Sequence, residues 1–217
     1  MEITAILEQL YILPSEYYGD LKWWPGESRF EIMVGAILTQ NTNWQNVEKA
    51  ITNLKEAGVL SLEGLLQLHP EKLSQLIRPA GYFNLKEKRL RNLLNLIKQD
   101  ADGDLDLFFA GPAPKIREKL LSSKGVGPET ADSILLYAGG KPTFVVDAYT
   151  IRILSRHNLI SEKAGYDEVR RLFMENLPQH APMFNQYHAQ LVMIGKEFCK
   201  KNKPCCENCP LDTWHRS

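Results

Sequence analysis

Three groups of residues in this 217-residue chain have types and spacings that could do chemistry. The first is LLSSKGVGPETADSILLYAGG, residues 120–140, in which Gly125 and Gly127 flank Val126 between two helical stretches. Glycines permit unusual dihedrals and close backbone approach. Pro128 suits the first turn of the second helix. Amides exposed at such a helix N-terminus meet a favourable dipole, and together they suit a phosphate. Val126 would plug the gap between the helices. The same spacing also makes a tight αα turn that binds nothing. The second group is VVDAYTIRIL, residues 145–154, an apolar connector that delivers Asp147 to a helix start. An aspartate there caps free amides well. The third is the cysteine set: Cys199, Cys205, Cys206 and Cys209, all four within residues 199–209. A secreted disulfide scaffold spreads its cysteines along the chain, so thiols this concentrated point to a metal.

These residues need elements to hold them, and the dominant period is helical. Phe30, Met33, Val34, Ile37 and Leu38 form one apolar stripe, and Trp44, Val47, Ile51 and Leu54 another. Leu90, Leu93, Leu94 and Ile97 mark a third helix, which Asn84 and Glu87 would open as a capping box. Further helices are expected at 4–12, 61–67, 70–77, 114–122, 128–138, 148–156, 166–176 and 182–197. TFVV, residues 143–146, is β-like but short and isolated, a buried connector rather than a strand. Turn signals at Pro79–Gly81, Asp102-Gly103, Gly111-Pro112 and 139–142 separate the helices. The expected fold class is all-α.

Composition is ordinary for a globular protein, with 44% hydrophobic and 24% charged residues. The 26 basic and 26 acidic side chains cancel, so net charge does not argue for a polyanionic partner. Local basic runs exist nonetheless: Lys86, Lys88, Arg89 and Arg91; Lys115, Arg117, Lys119 and Lys124; Lys196, Lys200, Lys201 and Lys203. Each run could equally be a solvated helix face. No run approaches the ~18 apolar residues that cross a bilayer. The N-terminus carries Glu2 and Glu8 and lacks the basic segment of a signal peptide. A cytoplasmic location with no membrane partner is expected.

The motifs gain meaning in combination. K-G-V-G-x-x-T-A followed some twenty residues on by P-T-x-x-V-D resembles the signature of the endonuclease III, or helix-hairpin-helix-GPD, DNA glycosylase family. GAILTQNT, residues 35–42, resembles the family segment that carries a DNA-probing glutamine, here Gln40. GKEFCKKNKPCCENC resembles the family's iron–sulfur loop. The resemblance runs in order from about residue 28 to the C-terminus.

What the resemblance implies can be set out residue by residue. The fold would be two helical lobes, one at 29–143 containing the hairpin at about 114–138, the other joining 1–28 to 144–217. Double-stranded DNA with a damaged base would bind across the cleft, to a monomer. Lys124, Gly125, Val126, Gly127 and Gln40 would contact the DNA. Asp147 would face the sugar of an extruded nucleotide and stabilise the positive charge built there as the base leaves. Capping a helix and doing this are compatible. Bifunctional members place a Schiff-base lysine two residues after the second hairpin glycine, where this chain has Glu129. A carboxylate cannot form that adduct, so a monofunctional enzyme is expected.

Trp24-Pro25, Trp44 and RPAGYFNLKEKRL at 78–90 resemble the 3-methyladenine branch, in which a glutamate likewise replaces the lysine. Trp24, Pro25, Trp44 and Glu129 would then line the base pocket. Aromatic faces attract a cationic alkylated purine by roughly 0.5–2 kcal/mol, although tryptophans as often fill a core. An endonuclease III-like enzyme for oxidised pyrimidines or mismatched bases, and a non-catalytic hairpin DNA-binding protein, are the alternative readings.

The family loop C-x6-C-x2-C-x5-C is matched by Cys199, Cys206, Cys209 and, at the fourth place, His215. A 4Fe–4S cluster, a Cys3His zinc site and a metal-free relic all stay open. Cys205 is an extra neighbour excluded from the set. His69, His157, His180 and His188 show no ligand spacing and are read as structural.

Overall fold

A computed structural model describes residues 2–214. Helices account for the regular structure, and the described residues contain no strand. They fall into two compact units, one running Trp24–Gly139 and the other joining the chain before it to the chain from Gly140 onward.

The Trp24–Gly139 unit holds α2 (Arg29–Leu38), α3 (Trp44–Glu56), α4 (Leu62–Gln67), α5 (Pro70–Leu76), a 3-10 turn at Arg78–Ala80, and α6 (Phe83–Ala101). After these come α7 (Leu105–Phe108), α8 (Ala113–Ser122) and α9 (Pro128–Ser133), the last passing into a π-helical turn at Ile134–Ala138. Ser28, Asn43, Ser61 and Asp104 cap α2, α3, α4 and α7, satisfying backbone amides that a helix start leaves without partners. The apolar stripes expected on α2, α3 and α6 form one core, with Val34, Ile37, Leu54 and Leu93 fully buried. Truncating such a leucine to alanine costs about 2–5 kcal/mol.

α6 starts differently from expectation. Its cap is Tyr82, in left-handed conformation, with no side-chain cap bond. Glu87 does not reach back to Asn84; its carboxylate accepts from Arg91 at 2.7 Å. Arg91 also donates to the Leu66 and Leu68 carbonyls at the end of α4. Orphan carbonyls at that helix end outcompete the local capping box for the charged pair.

The other unit holds α1 (Ile3–Tyr18), α10 (Ala148–Arg156), α11 (Tyr166–Asn176) and α12 (Ala181–Glu197). α1 runs well past the expected end, through Pro14. The turn around the proline is tied by Ser15 donating to the Tyr11 carbonyl at 2.8 Å and by Gln190 donating to Ser15 at 2.7 Å. Residues 143–146 are an extended connector, buried throughout, with Phe144 stacked on Phe173. Tyr187 and Trp214 seal the unit onto α1 by donating to the Leu7 and Ile6 carbonyls.

Candidate active site

The glycine turn between α8 and α9 is held from below by side-chain amides. Asn92 donates to the Lys124 carbonyl at 2.8 Å. Gln40 donates to the Gly125 carbonyl at 3.1 Å and to Thr130 Oγ1 at 2.9 Å. Arg89 in turn donates to Gln40 Oε1 at 2.6 Å. Gly125 has φ +101°, and a Cβ there would collide with the Arg89 stem, so glycine is required twice over. Val126 is buried between the helices, as the sequence suggests. Lys124 is exposed. Gln40, expected as a DNA probe, braces the hairpin through these bonds.

Asp147 lies in the other unit, at the start of α10. Its Oδ1 accepts from the Thr150 amide at 2.7 Å and from the Thr150 hydroxyl at 2.9 Å, a reciprocal capping box. Its Oδ2 faces His188 Nε2 on α12 at 3.7 Å, the two side chains being 12% and 7% exposed. Burial by itself raises the carboxyl's pKa. His188 and the two Thr150 donors outweigh it, so the net direction is downward and the group stays ionised. A rigid, buried, ionised carboxylate with one oxygen engaged by its helix can stabilise a developing cation or orient water.

The expected aromatic pocket is partly assembled. Trp24 and Trp44 meet edge to face with centroids 5.3 Å apart. Tyr137, which the sequence gave no reason to single out, stacks on Trp24 at 4.8 Å from the π-helical turn. Pro25 and Trp44 line a pocket of about 400 Å³ with Glu27, Glu31, Glu48 and Lys55, and Trp44 Nε1 donates to Glu48 at 2.9 Å. Trp24 is packed by neighbours rather than lining that pocket, and Glu129 sits exposed in the first turn of α9.

Cys199, Cys206 and Cys209 open into one cavity of about 300 Å³, lined also by Arg156, His157 and Trp214. Burial, with the Cys199 and Cys206 sulfurs nearby, pushes the Cys209 thiol upward. Arg156 donates to Cys199 Sγ at 3.2 Å and the Leu211 amide to Cys209 Sγ at 3.5 Å, contacts of the kind that tune thiolate ligands. Among the described residues no three His, Cys, Asp or Glu side chains converge on a single ion. His215, the expected fourth ligand, lies outside the described residues.

The first basic run is not a surface patch. Lys86 is 1% exposed and donates to the Leu38 and Ala80 carbonyls at 2.8 and 2.7 Å. Arg89 and Arg91 are engaged as described above. In the second run Arg117 pairs with Asp132 and Lys119 with Asp100. Buried acceptors take the donors of Lys86 and Arg117, whereas Lys88, Lys115 and Lys124 are exposed.

One residue beside Asp147 has no local sequence pattern that points to it. His188 is 41 residues from Asp147 in sequence, on a different helix, so nothing local links them.

A glycine hairpin clamped between two helices, on an all-α chain whose aspartate caps a further helix, defines the helix-hairpin-helix class with a Gly-Pro and Asp signature. The family model described as HhH-GPD superfamily base excision DNA repair protein matches residues 34–179, and the chain belongs to that endonuclease III-like family. It is similar to the "Putative DNA repair glycosylase" of Methanocaldococcus jannaschii, 47% identical over 95% of this chain and 94% of that one. Endonuclease III of Thermotoga maritima is 28% identical over 84% of this chain and 80% of its own length. The H. pylori 3-methyladenine DNA glycosylase, solved bound to 1,N6-ethenoadenine, superposes with TM-score 0.77 and 30% identity, covering 91% of this chain and 98% of that one. A non-covalent endonuclease III–DNA complex shares the fold with TM-score 0.82 at 22% identity, covering 100% and 96%. Among the described residues no helix is long and apolar enough to cross a membrane.

Proposed function

We propose that this DNA repair glycosylase is monofunctional and hydrolyses the N-glycosidic bond of flipped-out N-alkylated purines such as 3-methyladenine in duplex DNA. The observation that carries the reading is Asp147: buried, ionised, fixed by Thr150 through one oxygen and faced by His188 at the other. As the base leaves, the C1′–N bond breaks with its electron pair going to the base, which neutralises the alkylated ring. The cationic sugar is stabilised by the carboxylate. Water then bonds to C1′, and its proton passes by way of Asp147 to solvent. Because a cationic base departs readily, a strong acid to protonate it is not needed.

Glu129 at the lysine position supports the absence of a Schiff-base step. Trp24, Pro25, Trp44 and the newly found Tyr137 supply aromatic surface suited to a cationic ring. The likeness to a 3-methyladenine glycosylase supports the same substrate class. Lys124, Gly125, Val126 and Gly127 would hold a phosphate, with Gln40 fixing the turn. Cys199, Cys206 and Cys209, with His215, would hold a 4Fe–4S cluster, with zinc the alternative; bound there it supplies structural cross-linking of the tail and no step of the reaction.

The test is base release from duplex DNA treated with a methylating agent, comparing wild type with Asp147→Asn. Free 3-methyladenine from wild type, with abasic sites intact until alkali is added, is the expected outcome. Absence of release shifts the reading to oxidised pyrimidine or mismatch substrates. Borohydride-trapped strand nicking would overturn monofunctionality.

A further inference from the structure

The two oxygens of Asp147 have different surroundings. Oδ1 is saturated by the amide and hydroxyl of Thr150, whereas Oδ2 is left to His188. We infer that His188 is a positioning residue for Asp147, fixing from α12 the direction and ionisation of the carboxylate oxygen that the helix cap does not engage. This rests on the reading of Asp147 as the reacting carboxylate.

The separation of 3.7 Å is beyond a hydrogen bond and too short to admit a water between the atoms. The helix that carries His188 is locked to α10. Gly195 lets Tyr149 pack directly on α12, where any Cβ would clash with the tyrosine ring. Arg152 donates to the Gly195 carbonyl at 3.0 Å and to the Cys199 carbonyl at 2.7 Å. Arg156 adds bonds to the Lys200 and Lys201 carbonyls. The imidazole is thus presented at a fixed height over the start of α10.

Other polar groups near the pair have partners of their own. Thr150 acts from α10 itself, Tyr166 of α11 accepts from the neighbouring Val146 amide, and Arg152 turns toward the C-terminal loop. Of these, His188 is the group able to oppose the cost of burying the charge on Oδ2. Its removal leaves desolvation in place, so the carboxyl should protonate at higher pH and the acid limb of activity should move up.

The experiment measures single-turnover base release from methylated duplex DNA across pH for wild type, His188→Asn and His188→Phe. His188→Asn keeps a polar side chain and guards against a folding failure of His188→Phe. The expected result is an acid limb displaced upward by about one pH unit or more, with DNA affinity unchanged. A purely structural role would lower Tm and leave the limb in place, which overturns the inference. In parallel, carbon NMR of aspartate-labelled full-length protein follows the Asp147 carboxyl, assigned by difference with Asp147→Asn. An upward midpoint in His188→Asn supports the pairing and an unmoved one overturns it, even if wild type releases no base and the glycosylase reading itself fails.

Discussion

Charged side chains sit at two helix ends in this molecule and are used in opposite ways. At the start of α10 an anion, Asp147, meets the positive end of the helix dipole; at the end of α2 a cation, Lys86, meets the negative end through the Leu38 carbonyl. Lys86 gives its donors to two backbone carbonyls, and Arg89 beside it binds Gln40. Asp147 gives one oxygen to its helix and leaves the other facing His188. The difference separates scaffolding from chemistry. A charge committed to buried backbone carbonyls holds structure; one with an oxygen left over, kept ionised, can act on a substrate.

The largest effect that could break this contrast is Asp147→Asn. Asparagine caps a helix about as well as aspartate, so Tm should change little. Base release should fall by roughly 10²–10³-fold, the size expected for losing a charge aimed at the transition state. Equal losses in stability and activity would mean that Asp147 is only a cap.

Lys86→Met addresses the cation. Burial, with Arg89 nearby, lowers the Lys86 pKa to about 8 from the ordinary 10.5. Between those values the unfolded chain holds a proton that the folded chain has released. This group therefore adds stability as pH rises through the window, by about 1.4 kcal/mol per pH unit at most. Urea denaturation from pH 7.5 to 10.5 should show that rise in wild type and its loss in Lys86→Met. Identical pH slopes would remove the claim that the buried ammonium is structural.

Smaller effects sharpen the hairpin side. Gly125→Ala, at φ +101° and against the Arg89 stem, should cost about 1–3 kcal/mol and weaken DNA binding. Gln40→Ala should cost about 1 kcal/mol by freeing the Gly125 carbonyl, measurable by denaturation and by faster amide exchange in the turn. Gly127→Ala should be nearly neutral for stability, since its φ of −90° is ordinary and nothing lies within 4 Å of the new Cβ. A large loss at Gly127 with none at Gly125 would reverse the assignment of which glycine the turn requires.

Much of the fold was legible before any coordinates. Apolar residues at helical spacing on α2, α3 and α6 had to face inward, and Asp147 announced a helix start by its chemistry. The glycine turn and the cysteine loop were legible as motifs because each is built from neighbouring residues. The run of α1 through Pro14 was not, because Gln190, which ties that turn, lies 175 residues from Ser15. The capping box at Asn84 failed because Arg91 and the end of α4 claimed Glu87.

The sequence by itself determined what short-range chemistry determines: helical periodicity, caps, the hairpin glycines, Asp147 at a helix start and three cysteines in family spacing. Only the tertiary structure decided which polar groups answer one another. It braced the hairpin with Gln40, buried Lys86, placed Tyr137 on Trp24 and brought His188 to Asp147. The reason is physical: a buried polar group must find a partner, and which partner is near depends on how helices pack, not on what lies next to it in the chain.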